Sequence, residues 1–126
     1  MPKQLKFWNL VKNDEEKSAE LILYGSIGSD EEWDDISDKM FKRDIENLGD
    51  VENITLHINS PGGDAFSAVA IANTLKNHKA KITANIDGLA ASAATIITSV
   101  CDIVKMPKNA LFMIHNPLTI AMGDSE

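Results

Sequence analysis

Three short stretches of this 126-residue chain carry groups suited to acyl-transfer chemistry. Ser92 stands between Ala90-Ala91 and Ala93-Ala94. A nucleophilic hydroxyl needs an exposed Oγ, free backbone amides nearby and neighbours too small to obstruct a substrate. Small residues where a strand passes into a helix meet all three needs, and a helix start favours a developing oxyanion. Taken alone, a serine among alanines is usually packing. His115 closes the apolar run Leu111-Phe112-Met113-Ile114 and precedes Asn116-Pro117. An imidazole at the carboxyl end of a strand can serve as general base for a serine, or merely cap the strand. The two residues are 23 positions apart. A helix of about eight residues carries the chain some 12 Å away, and two short strands at ~3.3 Å per residue can bring it back. Gly62-Gly63 is the third stretch. Glycines there allow positive φ and let a backbone amide face a cleft, as an oxyanion donor or along a docked peptide, although an ordinary turn into a helix needs them too.

These residues require elements to hold them. Leu21 to Tyr24 reads as a buried strand ended by Gly25. Ser29 with Glu32 fits a capping box. Behind it Trp33, Ile36, Met40, Phe41, Ile45 and Leu48 recur at helical spacing, with Gly49 as the stop. Asn53 to Ile58 alternates as a strand, broken by Ser60-Pro61-Gly62-Gly63. Asp64 opens a second helix with Ala68, Ile71, Ala72 and Leu75 on one face. Lys81 to Ile86 is a strand ended by Asp87-Gly88, Ala90 to Val100 a buried helix, and Ile103–Met106 and Leu111–Ile114 strands around Pro107-Lys108-Asn109. Strands alternating with helices imply an α/β protein with largely parallel pairing. Ligands gather beyond the carboxyl ends of such strands. The loops Ser60–Gly63, Asp87–Ala91 and His115–Pro117 are expected at that edge.

Composition narrows the rest. With 44% hydrophobic and 25% charged residues, one domain over residues 1–126 with a real core is expected, and disordered or collagenous classes are excluded. One cysteine, Cys101, excludes an intramolecular disulfide framework and a Cys-rich zinc site. The longest interior uncharged run, Gly88 to Cys101, is 14 residues and too short to span a bilayer. No apolar stretch follows the N-terminus, so a cytoplasmic location and no membrane partner are expected. The net charge is −7, and residues 1–63 hold 14 acidic and 7 basic side chains against 5 and 5 in residues 64–126. Nucleic acid is not expected as a partner, since phosphate binding needs positive charge. The acidic run Asp30-Glu31-Glu32, Asp34-Asp35 and Asp38 reads as a solvated helix face or a docking patch for a basic partner.

Ile58-Asn59-Ser60-Pro61-Gly62-Gly63, Gly88-Leu89-Ala90-Ala91-Ser92 and Met113-Ile114-His115-Asn116-Pro117 together resemble the signature blocks of the Clp protease proteolytic subunit family, in the family's order. The resemblance runs from about Leu21 to Pro117. It implies a ClpP/crotonase-like superhelix of strand-strand-helix units and a serine peptidase with a Ser-His-Asp triad. Ser92 matches the nucleophile, His115 the general base, and Gly63 and Ala93 the two oxyanion donors. Gly62 and Asn116 are expected to bind substrate. No cofactor and no metal are expected. The resemblance also implies homo-oligomeric rings, a peptide or protein substrate and an ATP-driven unfoldase as partner.

Ala93-Ala94 after the serine and Asn116 after the histidine depart from cellular Clp subunits and look more like the phage and prophage branch, whose members mature heads by cleaving scaffold and capsid proteins. The family's triad aspartate lies well beyond the histidine block, so the chain is expected to be C-terminally incomplete, lacking that segment and the ring-building helix. Asp87, Asp102 and Asp124 are the substitutes on offer, and none is backed. A triad Asp is worth about 10⁴ in kcat in other serine proteases, so a chain without one is expected to be weakly active or inactive.

Other residues read as structural. His57 shares a strand face with Thr55 and Asn59, His78 ends the second helix, and Cys101 is a small apolar residue. Trp8 beside Phe7 fits either core cover or a partner contact. Two competing classes remain: a crotonase-type acyl-CoA enzyme, which shares the fold and the amide pair but places an acidic residue in its site, and an inactive shell component. A Ser-Lys peptidase would need a lysine near Ser92, and none is close in sequence.

Overall fold

The computed structural model describes residues 8–28 and 34–114. Its elements run β1 (Asn9–Asn13), β2 (Ser18–Tyr24), α1 (Asp34–Glu46), β3 (Asn53–Ser60), α2 (Ala65–Lys76), β4 (Lys81–Ala91), α3 (Ala93–Thr98), β5 (Ile103–Lys105) and β6 (Leu111–Met113). The strands form one six-stranded sheet in the order β1-β2-β3-β4-β5, with β6 also pairing β4. All pairings are parallel except β1 with β2.

The strand order never reverses. Right-handed crossovers between successive parallel neighbours therefore lay every helix on the same face. Alternation in the strands matches that arrangement. Leu21 and Leu23, Ile54, Leu56 and Ile58, and Ile82, Ala84 and Ile86 point into the layer of helices and are buried. They meet Phe41, Ile45 and Leu48 next to α1 and within it, Ala68, Ile71 and Leu75 of α2, and Ala93, Ala94 and Ile97 of α3 in one core. Trp8 covers its edge. It is buried, donates its indole N–H to Asp44 Oδ2 at 3.0 Å and meets the Phe41 ring edge-on at 5.2 Å, which decides for core cover. The opposite sheet face carries Glu20, Thr55, His57, Asn85 and Asp87 and is partly open to water.

The α/β class and the parallel pairing are as expected. Three details differ. β1 was not foreseen. Asp87–Ala91 is no loop but the second half of an eleven-residue strand, so Asp87 lies inside β4 rather than at its end. The third helix is only Ala93–Thr98, six residues, because Leu89 to Ala91 are taken by strand pairing with β6. The capping box at Ser29 and Glu32, the acidic residues Asp30 to Glu32, His115 and Asn116 lie outside the described residues.

β4 divides its free edge between two partners. Thr83–Asn85 pair β5, and Leu89–Ala91 pair β6. On its other edge the pairing with β3 slips. Ile58 faces Ile86, but Ser60 faces Ala90, so two residues of β3 span four of β4. The result is a bulge immediately before Ser92.

Candidate active site

Ser92 sits where β4 passes into α3, with φ 57° and ψ −121°. No other described non-glycine residue has positive φ except Lys17. Such a backbone costs about 1–3 kcal/mol and persists only where its surroundings impose it. Those surroundings are visible. The Ser92 amide donates to the Met113 carbonyl at 2.9 Å, while its own carbonyl accepts the Thr95 amide at 3.0 Å and the Thr95 hydroxyl at 2.6 Å. Both backbone ends are pinned. Ser92 is half-buried, and its hydroxyl has no hydrogen-bond partner among the described residues. The serine stands on a sharp strand-to-helix turn, without the G-x-S-x-G pattern around it.

Against this turn lies the loop that follows β3. Its shape comes from Ser60, which is 1% exposed and accepts the Gly62 amide on Oγ at 3.0 Å. Gly62 has φ +111°. A Cβ there would lie 2.8 Å from Ser92 Cβ, 2.9 Å from Ala91 O and 3.1 Å from Ala93 N, so only glycine fits against the serine turn. Gly63 has φ +149° and forms a parallel bridge with Ile27, where a Cβ would collide with the Ile27 carbonyl oxygen. The bridge uses the Ile27 amide, donated to Gly62 O at 2.8 Å, and the Asp64 amide, donated to Ile27 O at 3.1 Å. Gly63's own N–H is left over and has no partner among the described residues. Ala93 is the first residue of α3, so its amide has no acceptor within the helix and likewise remains free. Asp64 closes the loop by capping α2, accepting the Phe66 amide at 2.9 Å.

Ser92, Gly62, Gly63 and Ala93 are thus brought to one sheet edge. Ile27 was missed by sequence reasoning. Nothing local marks it, because its role is to offer a backbone edge to residues 36 positions away. The strained backbone of Ser92 was also missed, although small neighbours were its signal.

The other candidates separate cleanly from this edge. Asp102 Oδ2 accepts the Ile82 amide at 2.8 Å and its own amide donates to Ile82 O at 2.8 Å, which places it at the start of β4. Ser92 follows the other end of that strand, roughly 30 Å away at 3.3 Å per residue. Asp87 lies five residues before Ser92. It accepts the Tyr24 hydroxyl at 2.6 Å, which raises the Tyr24 pKa, and stands 3.6 Å from His57 Nδ1. His57 also faces Glu20 Oε1 at 3.2 Å, completing a cross-strand polar ladder on the open sheet face. His78 Nδ1 accepts the Ala80 amide at 3.0 Å and shapes the turn after α2. Burial, helped by the charge of Asp102, pushes the Cys101 thiol up to about 12, which suppresses its reactivity. Among the described residues no group of three His, Cys, Asp or Glu could hold a metal, and no helix is long and apolar enough to cross a membrane.

A largely parallel sheet with helices on one face, and a serine held at a strand-to-helix turn against a glycine loop, define the class of fold. Known proteins place the chain within that class. The family model described as Clp protease matches residues 8–126. The ATP-dependent Clp protease proteolytic subunit of Leuconostoc citreum is 36% identical over 84 residues, covering 65% of this chain and 42% of that protein. Subunit 1 of Rhodococcus jostii is 40% identical over 78 residues, covering 60% and 35%. A point variant of ClpP1 from Listeria monocytogenes aligns with a TM-score of 0.60 at 24% identity, over 78% of this chain and 56% of that one. The ClpP catalytic domain from Plasmodium falciparum aligns with a TM-score of 0.60 at 21% identity, over 86% and 58%. The chain belongs to the Clp protease family and has a ClpP-like fold. Its matched stretch spans less than half the length of the curated relatives named.

Proposed function

We propose that this chain carries the nucleophile and oxyanion half of a serine endopeptidase of the Clp type. One observation carries the reading: a strained, half-exposed Ser92 with a free hydroxyl lies against a glycine loop, with the unpaired amides of Gly63 and Ala93 on the same edge. Ser92 Oγ attacks the scissile carbonyl carbon. His115 takes the hydroxyl proton and passes it to the leaving amine, and the amides of Gly63 and Ala93 receive the oxyanion. Water then attacks the acyl-enzyme, with His115 again as base, and Ser92 is regenerated. Gly62 and Asn116 line the path of the substrate backbone.

Chain connectivity supports His115 in this role. Met113, whose carbonyl holds the Ser92 amide, stands two residues before His115. Two residues of chain span at most about 7 Å. Asp102 and Asp87 are engaged elsewhere, so neither is proposed as the charge partner of His115.

The finer assignment is to the phage and prophage branch, on the strength of Ala93-Ala94 and Asn116. Under it the substrate is a scaffold or capsid protein, the active form is a ring of identical subunits in the cytoplasm, and an unfoldase is dispensable. Hydrolysis of unstructured peptide and of folded protein by the full-length enzyme tests this, with and without ATP and a Clp unfoldase. Cleavage of peptides that disappears in Ser92→Ala and His115→Ala is the expected result. Peptide cleavage that survives in Ser92→Ala overturns the peptidase assignment, and folded protein cleaved only with the unfoldase overturns the phage-branch assignment.

A further inference from the structure

We infer that Asn59 is a positioning residue for Ser92, acting through the register of β4; the inference rests on the peptidase reading of the site. Regular parallel pairing continued from Ile58 and Ile86 would set Ser60 opposite Gly88 and Gly62 opposite Ala90. Ser92 would then lie two residues, about 6–7 Å, past the glycine loop. The bulge removes that offset. With Ser60 opposite Ala90, the next step of two brings Ser92 opposite Gly62, where a Cβ on Gly62 would come within 2.8 Å of Ser92 Cβ. A shift of two also preserves the alternation of faces, so Ile86 and Ala90 both remain buried.

Asn59 sits at the slip itself. Its carbonyl accepts the Gly25 amide at 2.9 Å on the β2 side, and its side-chain Oδ1 accepts the Leu89 amide at 3.1 Å on the β4 side. The carboxamide thereby supplies an acceptor to a strand amide inside the bulge. Gly88 provides the room. Its φ is not in the left-handed region, so conformation does not demand glycine there. Space does: a Cβ on residue 88 would lie 2.7 Å from Asn59 Oδ1 and 3.3 Å from its Cγ. Asn59 and Gly88 form one device, a side-chain acceptor and the vacancy that admits it.

Two measurements on the full-length protein test this: amide hydrogen exchange at Leu89 and Ser92, and the KM and kcat of peptide cleavage. Asn59→Ala is expected to speed exchange at both amides without altering Ile82–Ile86, and to lower kcat roughly three- to tenfold at constant KM, the scale of one lost hydrogen bond. Gly88→Ala, which pushes the carboxamide aside, should reproduce both effects, and the double variant should be no worse than either single one. Asn59→Asp keeps an acceptor oxygen and should restore both. Unchanged Leu89 exchange in Asn59→Ala, or Asn59→Asp as impaired as Asn59→Ala, overturns the positioning role. A wild-type protein that cleaves no peptide would refute the peptidase reading instead, while the exchange data would still decide whether Asn59 sets the register.

Discussion

The Met113 carbonyl accepts the Ser92 amide at 2.9 Å, so the last residue of β6 fixes the turn that presents the serine. β6 pairs Leu89–Ala91 in parallel just ahead of that contact. Strand pairing and turn geometry are therefore one structure, and strain at Ser92 is sustained by the β6 edge. Replacing Ser92 with glycine relieves positive φ and removes a hydroxyl that has no hydrogen-bond partner among the described residues. Ser92→Gly is expected to raise stability by about 1 kcal/mol, a Tm increase of about 4 °C for a chain of this size, while removing peptidase activity. Calorimetry of the two proteins measures it; a lowered Tm would show that the φ of 57° is not strained.

Gly62 makes the opposite prediction. An added methyl group collides with Ser92 Cβ, Ala91 O and Ala93 N at once, in a left-handed backbone that disfavours it anyway. Gly62→Ala is expected to cost about 3 kcal/mol and to abolish peptide cleavage. Urea unfolding with the slope m unchanged is the check, and a cost below 0.5 kcal/mol would contradict the contact.

Much of this was legible in the sequence. The alternation of Ile54, Leu56 and Ile58 and the spacing of Ala68, Ile71 and Leu75 set the strands and helices, and Ser60 to Gly63 announced the loop. What escaped has physical causes. β1 is an edge strand with three exposed residues in succession after Leu10, so its apolar alternation is too weak to read. Asp87-Gly88 looks like a turn in local terms, yet the Asn59 carboxamide and pairing with β6 carry the strand through it. Ile27 contributes backbone alone, for which side-chain pattern carries no signal.

Asp102 is a structural residue on this account. Losing its acceptor for the Ile82 amide should destabilise Asp102→Ala by about 1–2 kcal/mol, with kcat of the folded enzyme unchanged. Peptide kinetics below the melting transition decide this. A kcat reduced by orders of magnitude would return Asp102 to candidacy as the partner of His115.

Cys101 should titrate far above a free thiol. With its pKa pushed up from 9.0 to about 12, the thiolate fraction at pH 8 falls about a thousandfold relative to the unfolded chain. Alkylation by iodoacetamide should slow accordingly in the native protein. The sign for stability follows: the folded state favours the neutral thiol, so this contribution is fully present below pH 9 and is lost as pH rises from about 9 to 12. Equal alkylation rates in native and urea-unfolded protein would contradict the burial of the sulfur.

The most direct test of the central claim is covalent. Full-length protein treated with a fluorophosphonate and digested for mass spectrometry should carry a single adduct, on Ser92, that is absent from His115→Ala at matched exposure. An adduct on another serine, or none on folded protein, would contradict the assignment of Ser92 as the nucleophile.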